Sequence, residues 1–195
     1  MSPFITVVSG LPRSGTSLMM QMLAAGGFPL LTDNVRQPDE DNPRGYLEFE
    51  PVKRTAADAS WVEQAPGKAV KVVYALLRDL PVRYEYRVIL MHRALPETIA
   101  SQRAMLERSG RKGADVAPEK LLAIFARELR DTEDWLARHP NFRTLHVSFV
   151  DCLEHPADVA REVSGFLAPA PVDAGGMSLA VDRDLYRQRR TGTPG

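Results

Sequence analysis

At 195 residues, of which 44% are hydrophobic, the chain is long enough to bury the core of one ordinary domain and short for two. Its 25 basic and 25 acidic side chains cancel and no long basic run occurs, which excludes a nucleic-acid partner held by bulk charge; an anion must be bound by a local cluster. The single cysteine, Cys152, excludes an internal disulfide and the multi-cysteine zinc patterns, and fits a reducing compartment.

The amino-terminal residues carry no basic segment, and the apolar run at 4–8 is too short for a secretory signal or a membrane span, so a soluble, cytoplasmic protein is expected. That run reads as a strand. Gly10-Leu11-Pro12-Arg13-Ser14-Gly15-Thr16-Ser17 follows it and the apolar run 18–25 comes next, so the order is strand, tight turn, helix. Two glycines five residues apart let the backbone curl with its N–H groups inward. A helix starting near Thr16 adds unpaired N–H groups and the positive end of its dipole, which makes the turn an anion cradle. The hydroxyls of Thr16 and Ser17 can donate to the same oxygens, Ser14 is a further candidate, and Arg13 adds a planar, permanently charged fork.

The spacing follows the phosphate-loop pattern G-x-x-x-x-G-K-[ST], except that Thr16 stands where the lysine belongs. A nucleoside triphosphatase also needs a carboxylate at the tip of a later strand to hold magnesium. The best later strand, 87–91, ends in His92-Arg93, so a phosphate-like group is expected to bind without lysine and without a metal. The run Pro12-Arg13-Ser14-Gly15-Thr16-Ser17 resembles the 5′-phosphosulfate loop of the sulfotransferases, which take a sulfuryl group from 3′-phosphoadenosine 5′-phosphosulfate (PAPS).

Leu18, Met19, Met22, Leu23 and Ala25 recur at helical spacing, and Gly26-Gly27 ends that helix. Residues 31–51, rich in Asp, Asn and Pro, read as a loop; the adjacent Asp39-Glu40-Asp41 side chains diverge and do not make a calcium loop. Within it, Asn42-Pro43-Arg44-Gly45-Tyr46-Leu47-Glu48 resembles a stretch that bacterial sulfotransferases carry after their first helix. By that resemblance Glu48 is the candidate base for the acceptor's proton, with Glu50 in reserve; a cap, or a pair with Arg44 or Arg54, is the alternative for Glu48.

Residues 51–63 are expected to form a helix, 70–77 a second strand and 86–91 a third. Lys71 lies in the second, facing either substrate or solvent. Neither strand alternates, as in a parallel sheet covered on both faces.

After the third strand comes His92-Arg93-Ala94-Leu95-Pro96, where Pro96 suits the first turn of a helix and Ser101 falls two turns along, facing back toward Arg93. A phosphate can bridge the two. The pattern Arg-x-x-Pro, with serine eight residues after the arginine, resembles the 3′-phosphate site of the sulfotransferases; Arg103 is a weaker helper, and a plain surface ion pair is the alternative for Arg93. His92 reads as strand-end packing. Residues 107–117 form a polar loop in which Arg108, Arg111 and Lys112 lie within reach of phosphate or are simply solvated. Pro118 opens a long amphipathic helix, 142–147 is another strand, and Pro156 opens a further helix. His139, His146 and His155 show no metal spacing and read as structural. From 168 to 195 the chain is expected to be irregular, with Arg187, Arg189 and Arg190 either covering the ligand or forming a solvated tail.

The expected fold is a single three-layer α/β domain: a mainly parallel sheet of phosphate-loop type, helices on both faces, and ligands at the carboxyl ends of the strands. The resemblance implies a PAPS-dependent sulfotransferase that leaves adenosine 3′,5′-bisphosphate and acts on a hydroxyl or amine of a small-molecule, glycan or lipid acceptor. Arg13 would meet charge on the leaving oxygen, Gly15, Thr16 and Ser17 would hold the 5′-phosphate, and Arg93 with Ser101 the 3′-phosphate. The alternatives are a nucleotide kinase, a non-catalytic nucleotide-binding protein, or a phosphatase-like hydrolase, the last disfavoured because Cys152 lies far from the anion loop.

Overall fold

The computed structural model describes residues 3–33, 35–39, 42–108, 110 and 116–182. Four strands, β1 (Ile5–Gly10), β2 (Ala69–Lys71), β3 (Tyr86–His92) and β4 (Phe142–Ser148), form one sheet in the order β2-β1-β3-β4, and every pairing is parallel. The helices are α1 (Thr16–Ala25), α2 (Leu95–Arg108), α3 (Pro118–Ala137), α4 (Phe149–Glu154), α5 (Pro156–Leu167) and α6 (Ala174–Leu179). This is the expected three-layer α/β architecture.

Alternation along each strand divides the core in two. Val8, Ile89, Met91 and Val147 pack toward α1 and α5, with Met19, Met22, Leu23, Val163 and Leu167 closing that layer. On the opposite face Ile5, Val7, Val88, Leu90 and Phe142 meet Leu136 of α3 and the buried Trp61, Val62 and Leu77. Both faces of β1 and most of β3 are thus buried, which is why neither strand alternates in sequence. The chain leaves β1 toward β2 on one side and returns to β3 on the other. The carboxyl ends of β1 and β3 therefore flank the point where strand order reverses, where α/β sheets open a crevice.

Three expectations are corrected. Residues 51–63 do not form one helix but two short 3-10 turns, Glu50–Arg54 and Ser60–Gln64. Asp58 Oδ1 accepts from the Ser60 amide at 2.9 Å, and buried Trp61 donates to Thr55 Oγ1 at 3.0 Å, a local network that outcompetes a continuous helix. The strand expected over 70–77 is three residues long; its chain turns at Val73 into a 3-10 turn, Tyr74–Asp79, that buries Leu77. The segment from 168 is not wholly irregular: α6, capped by Asp173, inserts Met177 into the core beside α1. The expected positions Arg111, Lys112, Arg187, Arg189 and Arg190 lie outside the described residues. Among the described residues no helix is long and apolar enough to cross a membrane.

Candidate functional site

A cavity of about 440 Å³ opens at the carboxyl ends of β1, β2 and β3, and its wall includes Gly10, Arg13, Gly15, Thr16, Ser17, Arg93 and Ser101. The turn after β1 owes its shape to backbone conformation. Arg13 adopts φ 70° and Gly15 φ 103°, both left-handed. At Gly15 only a hydrogen fits, because a Cβ would collide with the Phe149 ring. The first helical bond of α1 runs from the Met19 amide to the Gly15 carbonyl, so the Thr16, Ser17 and Leu18 amides have no acceptor inside the helix, and no side chain caps it. They present donors and a positive dipole end to the cavity.

The second cluster stands against the first. Arg13 Nε donates to Ser101 Oγ at 3.0 Å, joining residues 88 positions apart, and Ser101 is almost fully buried. The Arg93 side chain is buried too, at 6% exposure; its Nη1 reaches the Arg13 carbonyl at 3.3 Å, its Nε pairs with Glu97 at 3.2 Å, and its guanidinium lies 4.8 Å from the centre of the Phe149 ring. The ion pair considered for Arg93 exists, but inside the cavity wall. Arg108 also lines the cavity, while Arg103 does not.

Ser14 behaves differently from its neighbours. Its amide donates to the Leu11 carbonyl at 3.1 Å and its buried hydroxyl turns inward under Gly10, without a hydrogen-bond partner. It supports the turn instead of lining the cavity.

The opposite wall comes from the loop before β2. Glu48 lines the cavity and Glu50 does not: the Glu50 carboxylate is exposed and paired with Lys53 at 2.7 Å. Glu48 Oε1 lies 3.0 Å from Arg36 and 3.6 Å from Lys71, and its Oε2 3.8 Å from Lys53. None of these cations is Arg44 or Arg54, the partners named in the alternative reading of Glu48; Arg44 instead binds Asp182 at 2.8 Å and the Ala180 carbonyl at 2.6 Å.

Lys71 faces the cavity, which settles its orientation. Its ammonium donates to Ser17 Oγ at 3.0 Å and to the Tyr46 carbonyl at 2.9 Å. Burial pushes its pKa down to about 8, against the opposing pull of Glu48. The Arg36 guanidinium stacks 3.3 Å from the centre of the Tyr46 ring, and the Tyr46 hydroxyl donates to Asp39 at 2.8 Å. Burial is the main cause of the upward shift of the Tyr46 phenol. Sequence spacing gives no sign of Arg36 or Phe149 and leaves Lys71 undecided, since pairing of β1 with β2 places Lys71, the fold-back of the loop brings in Arg36, and pairing of β4 with β3 brings in Phe149.

No family model matches this chain, and no curated relative matches it. Among solved structures, it is similar to the sulfotransferase domain from the curacin biosynthetic pathway, with a TM-score of 0.53 and 16% identity over 94% of this chain and 89% of that one. The two chains share a fold. At that identity the likeness concerns the path of the backbone, and the chemistry must be argued from the cavity itself.

Proposed function

We propose that this protein is a sulfotransferase that takes the sulfuryl group of PAPS and transfers it to a hydroxyl or amine. The observation that carries this reading is the contact between Arg13 and Ser101, through which the turn after β1 and the Arg93–Ser101 segment share one cavity. A cradle alone suits any phosphate; a second buried arginine-serine cluster beside it suits a nucleotide with a second phosphate. The similarity in fold to a sulfotransferase domain supports the same reading.

In this proposal the amides of Gly15, Thr16 and Ser17 and the hydroxyls of Thr16 and Ser17 hold the 5′-phosphate, and Arg93 with Ser101 holds the 3′-phosphate. The bound donor supplies a sulfuryl group on a phosphate leaving group. Arg13, fixed between the clusters, neutralises charge that builds on the leaving bridge oxygen. Glu48 accepts the acceptor's proton as the new bond to sulfur forms. Lys71 links the walls, holding Ser17 on one side and Glu48 on the other. No metal is invoked, because a sulfuryl group carries one negative charge fewer than a terminal phosphoryl group and fixed cations already surround it.

Calorimetric titration with adenosine 3′,5′-bisphosphate tests the reading. Arg93→Ala is expected to weaken binding by roughly 2–4 kcal/mol through loss of a charge-assisted phosphate contact. Equal affinity in both proteins removes Arg93 from the site. Nucleotide binding without sulfuryl transfer across a panel of hydroxyl and amine acceptors would instead indicate a non-catalytic nucleotide-binding protein. Lys71 at Ser17 gives a nucleotide kinase its one favouring feature, a lysine beside the cradle. That reading requires thermal stabilisation by ATP with magnesium and none by adenosine 3′,5′-bisphosphate.

A further inference from the structure

On the opposite face of the sheet from α1, three potential metal ligands from three different elements meet: His92 at the end of β3, His146 of β4 and Glu133 of α3. Pairing of the strands sets two of them. Leu90 lies opposite His146 and His92 opposite Ser148, so the two imidazoles stand diagonally on one face, where their rings stack with centres 5.1 Å apart. His92 Nε2 and His146 Nδ1 are 2.9 Å apart, and Glu133 Oε1 is 3.7 Å from the first and 3.9 Å from the second.

We propose that His92, Glu133 and His146 bind one borderline divalent cation of the zinc type. In a tetrahedral site with metal–ligand bonds near 2.0–2.1 Å, ligand atoms are about 3.3 Å from one another. The three observed separations bracket that value, so side-chain rotations that move the ligand atoms by about half an ångström suffice. Two imidazoles and one carboxylate are a donor set suited to zinc, cobalt or nickel, and not to calcium or magnesium, which take oxygen ligands. Three protein ligands leave a coordination position for water, and the cluster is open on that side: the side chains of His146 and Glu133 are 54% and 36% exposed. A bound ion would tie the tip of β3 to both β4 and α3. Sequence spacing hides the site, since its members are 41 and 13 residues apart and only strand register and α3 bring them together.

The site is independent of the proposed transfer reaction, and its test does not involve that activity. Chelator-treated, tag-free full-length protein is titrated with Co²⁺, read by visible absorption, and then with Zn²⁺ in competition, alongside Glu133→Gln, His146→Ala and the distant control His155→Ala. The expected result is a single equivalent bound by wild type and by His155→Ala, roughly tenfold or greater weakening in each of the other two, and a Zn²⁺-dependent rise in Tm that His146→Ala lacks. Glu133→Gln changes a half-exposed side chain on a helix surface and keeps the test readable should a histidine variant fold poorly. Absence of binding to wild type, or wild-type affinity retained in both Glu133→Gln and His146→Ala, overturns the proposal and leaves the imidazoles as a proton-sharing pair.

Discussion

The two walls of the cavity are held by different kinds of bond. On the β1–α1–α2 side, position is fixed by backbone: left-handed Arg13 and Gly15, the first turn of α1, and Ser101 buried in a helix. On the side that carries Arg36, Tyr46 and Glu48, position is fixed by side-chain charge, with Glu48 among Arg36, Lys53 and Lys71 and Arg36 stacked on Tyr46. A wall made of backbone accepts almost no substitution, whereas a wall of ion pairs can be rewritten one residue at a time. The first suits the part of a ligand that never changes, and the second the part that differs between substrates.

The largest effect should come from breaking the backbone wall. Gly15→Ala forces a Cβ into the Phe149 ring at a left-handed φ, and is expected to cost about 4 kcal/mol of stability and abolish binding of adenosine 3′,5′-bisphosphate. Thermal unfolding with calorimetry would check both; a stable variant with intact binding would contradict the claim that backbone shapes this wall.

Lys71 tests the seam between the walls through pH. Its folded-state pKa of about 8 lies below the usual value of 10.5, so the unfolded chain binds the extra proton between those pH values. Below pH 8 the folded protein bears the full cost of a buried ammonium. That cost is relieved as pH rises from 8 toward 10.5, so wild type should gain stability relative to Lys71→Met by roughly 3 kcal/mol across the window. Denaturant titrations of both proteins at several pH values would show it; a flat difference would mean that Lys71 is well hydrated.

Within the charged wall, Glu48→Gln should lower the transfer rate roughly a hundredfold, while Glu50→Gln, outside the cavity, should leave it nearly unchanged. Rates measured at saturating donor would separate the two; the reverse order would move the base to Glu50. The smallest effect belongs to the rim. Asp182→Asn removes an exposed ion pair with Arg44 and is expected to cost no more than about 0.5 kcal/mol in stability.

This division also decides what could be read from sequence. The cradle is contiguous, and Ser101 lies about two turns into the helix that follows Arg93, so local geometry alone places them. The succession of strands along the chain and the helices opened by Pro118 and Pro156 follow from periodicity in the same way. Lys71 was undecidable because it lies on an edge strand of three residues, where burial depends on what folds over it. The loop from 31 to 51 contains charges of both signs, and only tertiary packing selects Lys71 for Glu48 and Asp182 for Arg44. The turns at 50–64 escape a reading by propensity because Asp58 pairs with the Ser60 amide and Trp61 with Thr55, local bonds that helix propensity does not register.

Phe149 carries no charge and makes no bond to either proposed phosphate, yet Gly15 and the guanidinium of Arg93 both rest against its ring. On the proposed reading an aromatic spacer would act as the gauge of the binding site: its thickness would set how far apart two anions must be before both could be gripped. Length selectivity would then be inherited from hydrocarbon packing, and a bulkier or slimmer residue at that one position would recalibrate it while leaving every hydrogen-bonding group intact.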